Sequence, residues 1–451
     1  MRTHPSRPAP SRRGGVTPLA VLSLTLLVSV VALVVDGGSL MEERRHAQAT
    51  ADAAALAAAA DLFTNYALNQ GTDPAGSAQS SALAYAAANG YDNDGLQSVV
   101  TVRISPQNYL GGPGAGQPIP PGHAEVTVQY NASRMFSAVF GSDGIPVRAR
   151  AVARGKWSPL PQGLVLLNLT AAGVLTSSST GRINVVNAGV QINTGSSAGI
   201  SLSSGATVTA SQFNLNKNAN LASSVLSSLL HVGGGTAPIL YGDPIPDPLR
   251  SLPDPDPVKL GLPQRGTNTK AGGGILHLYP GVYVGGIAAN GGAIIILHAN
   301  ADGTPGIYDL QGGGLTVSGP STIMTAPGET AGVMIYNDWT SSSDSINLSG
   351  SGILKLLPPA TGPYTGVVIF QKRGTLTNPA PKLTLSGTGL LQVTGTVYAA
   401  YAHIDLSGGS SGGVVGGQII ADTMSLSGSA TVNIDRQTDP VARVRTIYLV
   451  Q

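Results

Sequence analysis

Residues 383–428, LTLSGTGLLQVTGTVYAAYAHIDLSGGSSGGVVGGQIIADTMSLSG, decide the fold, because one short apolar element returns in them at a nearly constant interval. Leu-Ser-Gly begins at 385, 406 and 426. A return every roughly 20 residues is one coil of a parallel β-helix, in which no single coil can bury its own apolar face. Upstream, Leu348-Ser-Gly and the weaker Val317-Ser-Gly continue the series at longer intervals. Those intervals require loops that leave the coil, and Pro358-Pro359 and Lys372-Arg373-Gly374 are suitable places. A second element, Gly332-Val-Met-Ile-Tyr-Asn337, Gly366-Val-Val-Ile-Phe-Gln371, Gly395-Thr-Val-Tyr-Ala-Ala400 and Gly417-Gln-Ile-Ile-Ala-Asp422, precedes each Leu-Ser-Gly, so each coil has two strands. Leu385, Leu406 and Leu426 are expected to form one inward ladder, with residues 408–413 as an outer turn.

Outward from this core the same character persists. From 163 to 232, apolar triplets such as Ile183-Asn-Val, Val190-Gln-Ile, Ile200-Ser-Leu and Val208-Thr-Ala alternate with Gly, Ser and Asn, the pattern of a first β-helical section. Residues 233–274 carry Asp-Pro pairs at 243, 247, 254 and 256 and read as an extended linker or excursion, since Pro fixes φ and removes a donor. The main repeats occupy 275–436, and 437–451 is a C-terminal strand or cap. Before 163, residues 96–104, 123–130 and 147–154 alternate like half-buried strands, and 80–89 reads as a short helix ended by Gly90.

Composition agrees. Gly 60 and Pro 31, with 11% charged and 5% aromatic residues, describe a turn-rich polar chain, and 42% hydrophobic residues exclude disorder. A net charge of +2 gives no electrostatic case for nucleic acid. With no Cys, neither disulfides nor Cys-based metal or redox sites exist.

The N-terminus fixes location. Residues 16–35 carry no charge and, at 1.5 Å per helical residue, are long enough to cross a hydrocarbon core of roughly 30 Å. Arg2, Arg7, Arg12 and Arg13 in the tail 1–15 have no acid to offset them, which predicts a cytoplasmic N-terminus and an exported remainder. A cleaved signal peptide has a shorter apolar core and a small-residue cleavage site, and neither fits well. Asp36-Gly37-Gly38 is expected to break the helix, and Ser39 with Glu42 to cap a second one over 40–69. With the strands that follow, this gives a pilin-like α+β stalk over 36–160.

Arg12-Arg13-Gly14-Gly15, Val35-Asp36-Gly37 at the end of the apolar run, and the Ala-Asp-Ala-Ala-Ala-Leu element within 51–59 together resemble the N-terminal segment of the tight-adherence (Tad) pilus assembly family, in particular its TadG-like members. The resemblance is confined to this N-terminal stretch and implies an inner-membrane anchor with pilus or envelope assembly proteins as partners. The β-helical repeats also look like ectodomains joined to such N-termini. Two departures stand out. Pilin-type subunits of such systems carry a Glu five residues past the processing Gly, where this chain has Leu19 and Ala20, so prepilin cleavage is not expected. The Asp-x-Ser-x-Ser metal motif of some TadG-like members has no counterpart, since Leu164-Val-Leu-Leu-Asn168 ends in Asn168.

Candidate chemistry is sparse. A polysaccharide-cleaving β-helix would use Asp338, Asp344, Lys372, Arg373, Asp405 or Asp422; two carboxyls must stand roughly 5 to 9.5 Å apart. Stacked coils could place Asp405 and Asp422 on neighbouring rungs, although their offset is shorter than the roughly 20-residue repeat, which weakens the pairing. The seven His, among them His277, His298 and His403, are dispersed in sequence. Tyr91-Asp-Asn-Asp-Gly95 lacks the distal Glu of a calcium hand and reads as an Asx turn. The runs at 272–274 and 312–314 lack a following Lys-Ser/Thr and cradle no phosphate. No catalytic, cofactor-binding or metal residue is therefore assigned. The expected protein is mainly β, with a transmembrane helix, a small pilin-like α+β module and a parallel β-helix ectodomain. Its expected role is structural, for assembly or adhesion. The alternative is an envelope-tethered polysaccharide-binding or polysaccharide-cleaving protein, with surface polysaccharide as the further candidate partner.

Overall fold

The computed structural model describes residues 16–136, 138, 143–203, 205–232, 234–375, 377–408, 413–414, 416–436 and 441–450. The basic tail 1–15 and the interior of the turn expected at 408–413 lie outside them. The chain divides into two compact units, residues 1–157 with 446–451, and residues 158–445.

The first unit is built on one helix, α1 (Val16–Thr64), followed by the short α2 (Tyr66–Asn69) and by α3 (Ser77–Ala88). The expected break at 36–39 does not occur. Two helical glycines cost only about 1 kcal/mol each relative to Ala, too little to interrupt strong helix-forming sequence on both sides. The Ser39 hydroxyl donates to the Asp36 carbonyl within the helix at 2.9 Å instead of capping a new one. The Ala-rich half turns one face inward: Ala47, Ala51, Ala54, Ala55, Ala58 and Leu62 are buried at helical spacing. That face packs on an antiparallel sheet of β1 (Ser98–Ile104), β2 (His123–Ala132) and β3 (Ile145–Pro159), joined by the C-terminal strand Arg443–Leu449. Small residues let the helix approach closely. A β-carbon on Gly155 would lie 1.7 Å from the Ala59 carbonyl oxygen, so this position admits only Gly.

In the second unit the strand pairings are parallel, in one 16-stranded sheet and two five-stranded sheets. The Leu-Ser-Gly series is one ladder. Ala289, Val317, Leu348, Leu385, Leu406, Leu426, Ser177 and Leu202 are successive register partners, and those from Val317 to Leu426 are buried. The long interval from 317 to 348 is absorbed by loops at 326–332 and 339–345, and that from 348 to 385 by loops at 357–366 and from 372, which include Pro358-Pro359 and Lys372-Arg373-Gly374. Corners are made by glycine. Gly314 has φ +63, and a β-carbon there would meet the Ser345 carbonyl at 2.1 Å.

The two β sections are stacked in an order the sequence does not run in. Gln418–Gly428, the last long strand of the second section, pairs with Gln162–Leu166, the first strand of the first section, with Ile419 opposite Leu164. The stack therefore begins at Gln264–Ala271, reaches 418–428, continues at 162–166 and ends at Ile239–Gly242. Residues 243–263 are the strap that returns the chain from one end of the stack to the other.

Candidate functional site

Three places carry concentrated chemistry. The first is the N-terminal half of α1. An 18-residue window of that helix has a mean hydropathy of 2.7 and none of it is buried; Leu19, Leu22, Leu24, Leu26 and Leu33 are all largely exposed. An unburied apolar run of this length cannot be left in water at roughly 25 cal/mol per Å² without a strong pull toward lipid. Immediately beyond lies Asp36, buried, whose carboxylate accepts the backbone N–H of Phe136 at 3.0 Å.

The second is the strap. Its apolar residues Leu249 and Leu252 cover the outward ladder Tyr336, Phe370, Tyr398, Ile420 and Val165. Arg373 pins it. The guanidinium donates to the Leu249 and Leu252 carbonyls at 2.8 and 2.9 Å, to Asp254 Oδ1 at 2.5 Å and to the Tyr398 hydroxyl at 2.6 Å. It also stacks over the Phe370 and Tyr398 rings at 5.1 and 5.0 Å. Tyr398 in turn donates to Asp247 Oδ2 at 2.5 Å. Arg373, read in sequence as a candidate catalytic base, is thus committed to holding the strap.

The third is a row of acids at the end of the same ladder. Asp338 pairs with Lys372 Nζ at 2.5 Å. Beside it Asp309 is fully buried, accepts one long bond from Gln311 Nε2 at 3.3 Å, and has an Oδ1 with no hydrogen-bond partner. Burial first, and the negative Asp338 second, push its carboxyl up to about 6. Sequence reading missed Asp309, since nothing in Ile-Tyr-Asp-Leu marks its carboxylate as buried.

The remaining candidates are scattered. Asp344 is buried; burial pushes its carboxyl up, but the backbone N–H groups of Thr340, Gly313 and Ser341 outweigh it and hold it below the usual range. Asp405 stands opposite Ser425, not Asp422, and accepts from its hydroxyl at 3.1 Å. Asp422 accepts from Asn168 Nδ2 at 3.0 Å, and burial raises its pKa. His403 contacts the Thr423 and Ser425 hydroxyls at 2.7 and 2.9 Å, and burial lowers its pKa.

His277 and His298, dispersed in sequence, meet at 2.8 Å between ring nitrogens, although the register partner of His277 is Ile296. Asp94 Oδ1 accepts the N–H groups of Leu96, Gln97 and Ser98 at 2.8 to 2.9 Å, the closed turn read from 91–95. Among the described residues no group of three or more His, Asp or Glu is disposed to hold a metal ion.

A long helix with an unburied apolar half, an α+β module packed on its other half and a parallel β unit define a mainly β protein, and that helix fits a single-pass membrane anchor. Residues 14–61 match the Tad family model, described as putative Flp pilus-assembly TadE/G-like. The match spans the unburied apolar stretch and most of the Ala-rich face. No curated protein and no solved structure matches the chain.

Proposed function

We propose that the chain is a structural subunit of a Tad-type pilus or cell-envelope assembly. It is held in the inner membrane by 16–35 with the N-terminus cytoplasmic, and it displays residues 158–445 as a parallel β-helix for assembly or adhesion. The observation that carries this reading is the coincidence of the family match at 14–61 with the unburied apolar half of α1. The coil reading rests on the regular return of register partners such as Leu385, Leu406 and Leu426. Its partners are other assembly proteins, and it turns over no substrate. The strap's cover over the Tyr336, Phe370 and Tyr398 ladder, the face on which a glycan would stack, counts against the polysaccharide alternative.

A photo-crosslinking residue at Leu68, which is 85% exposed, tests the assignment in the intact envelope. Crosslinks to pilus assembly proteins are expected. Crosslinks confined to glycan-processing enzymes or to polysaccharide would reverse it.

A further inference from the structure

Arg134 and Phe136, just after β2, lie beside the outer end of the apolar helix. Phe136 donates its backbone N–H to the Asp36 carboxylate, and Phe136 and Ile145 line a groove along α1 with Val28, Ala32, Leu33 and Gly37. Val28 and Asp36 are just over two helical turns apart, so at 1.5 Å per residue the groove runs roughly 12 Å down the helix, into the stretch read as the membrane span. Met135 and Phe136 are nonetheless 68% and 45% exposed. Large apolar side chains held open at that level face whatever surrounds the helix.

Three arginines stand around them. Arg134 lines the same groove, and Arg44 and Arg148 line the adjoining one beside Leu40 and Pro146. Of the neighbouring acids, Asp36 is engaged by Phe136 and Glu43 by the Tyr91 hydroxyl at 2.7 Å, and Asp143 stands beside Arg134, whose Nε donates to its backbone carbonyl at 2.7 Å, so the arginines are in excess. An apolar tip with a collar of arginines matches the boundary between acyl chains and anionic headgroups, where apolar side chains enter the chain region and guanidiniums reach phosphate.

We propose that Met135 and Phe136 form a second membrane contact, a wedge seated in the outer headgroup region of an anionic phospholipid bilayer, with Arg44, Arg134 and Arg148 on the phosphates. The wedge would fix the tilt and rotation of the span, since Asp36 ties it directly to the helix. This rests on the membrane-anchor reading above.

The test uses the full chain, which has no Cys, reconstituted in vesicles of phosphatidylethanolamine and phosphatidylglycerol. Single thiols at Phe136→Cys, Leu26→Cys and Leu68→Cys carry an environment-sensitive fluorophore, and nitroxide lipids quench it at shallow or deep positions. The expected result is a blue-shifted probe at 136 quenched by the shallow nitroxide as strongly as the probe at 26 is by the deep one. The probe at 68, beyond the far end of α1, should stay unquenched. A quenched probe at 26 with an aqueous, unquenched one at 136 overturns the wedge and leaves the anchor standing. A blue-shifted but unquenched probe at 136 buries it within the protein or between copies of it and also overturns the wedge. No quenching at 26 overturns the anchor itself.

Discussion

Removing Arg373 should release the strap. In Arg373→Ala the Leu249 and Leu252 carbonyls and the Tyr398 hydroxyl lose their donor, and Asp247 and Asp254 lose their counter-charge. Asp254 is 39% exposed and regains water, so its share is small. Asp247 is only 10% exposed and stays largely desolvated. Breaking one partner of such a buried network costs about 3 to 5 kcal/mol, and the lower figure corresponds to roughly a hundredfold larger open population. Trypsin reads that population at Arg250 and Lys259, both exposed within the strap. When reclosing is fast, cleavage there should rise about a hundredfold. Cleavage at the exposed Arg182, outside the strap, should not change. Arg373→Lys keeps the charge but not the planar fork and should fall between. Cleavage within twofold of the parent at Arg250 and Lys259 would refute the role given to Arg373.

The Leu ladder predicts that Leu406→Asp, which places a carboxylate between Leu385 and Leu426, destabilises the second unit by about 3 to 5 kcal/mol. The exposed Ser351→Asp should stay within about 0.5 kcal/mol in the same denaturant titration, and equal shifts would mean the register is wrong. Asp309 makes a prediction about pH. Its carboxyl stands at about 6 against 3.8 when unfolded, so between those values the folded chain binds more proton and stability falls as pH rises. The loss is complete above pH 6 and amounts to about 3 kcal/mol. Asp309→Asn should therefore be more stable than the parent at pH 7 and nearly equal to it at pH 4, and a difference that does not depend on pH would remove the account.

The periodicity was legible because a β stack repeats its inward positions. Val317, Leu348, Leu385, Leu406 and Leu426 are spaced in sequence as the rungs are in space, with each extra stretch leaving as a loop. The order of the stack was not legible. Leu426 opposes Ser177, which belongs to the other β section, and no local pattern says which end of a section meets which. The same fact hid the strap, since Asp-Pro pairs mark an extended segment without saying what it covers. The helix break failed because local capping signals at Ser39 compete with helix continuity, and continuity wins. Asp309 and the His277–His298 pair escaped because burial and cross-rung contact depend on register.

The direction of the anchor is the point on which the account stands most directly. Ser6→Cys lies in the tail outside the described residues, and Ser342→Cys lies in an exposed turn of the second unit. A membrane-impermeant maleimide applied to spheroplasts, whose inner membrane is intact, should label 342 and spare 6 until the membrane is opened. Labelling of 6 with protection of 342, or equal labelling of both, would contradict a cytoplasmic N-terminus and an exported β unit.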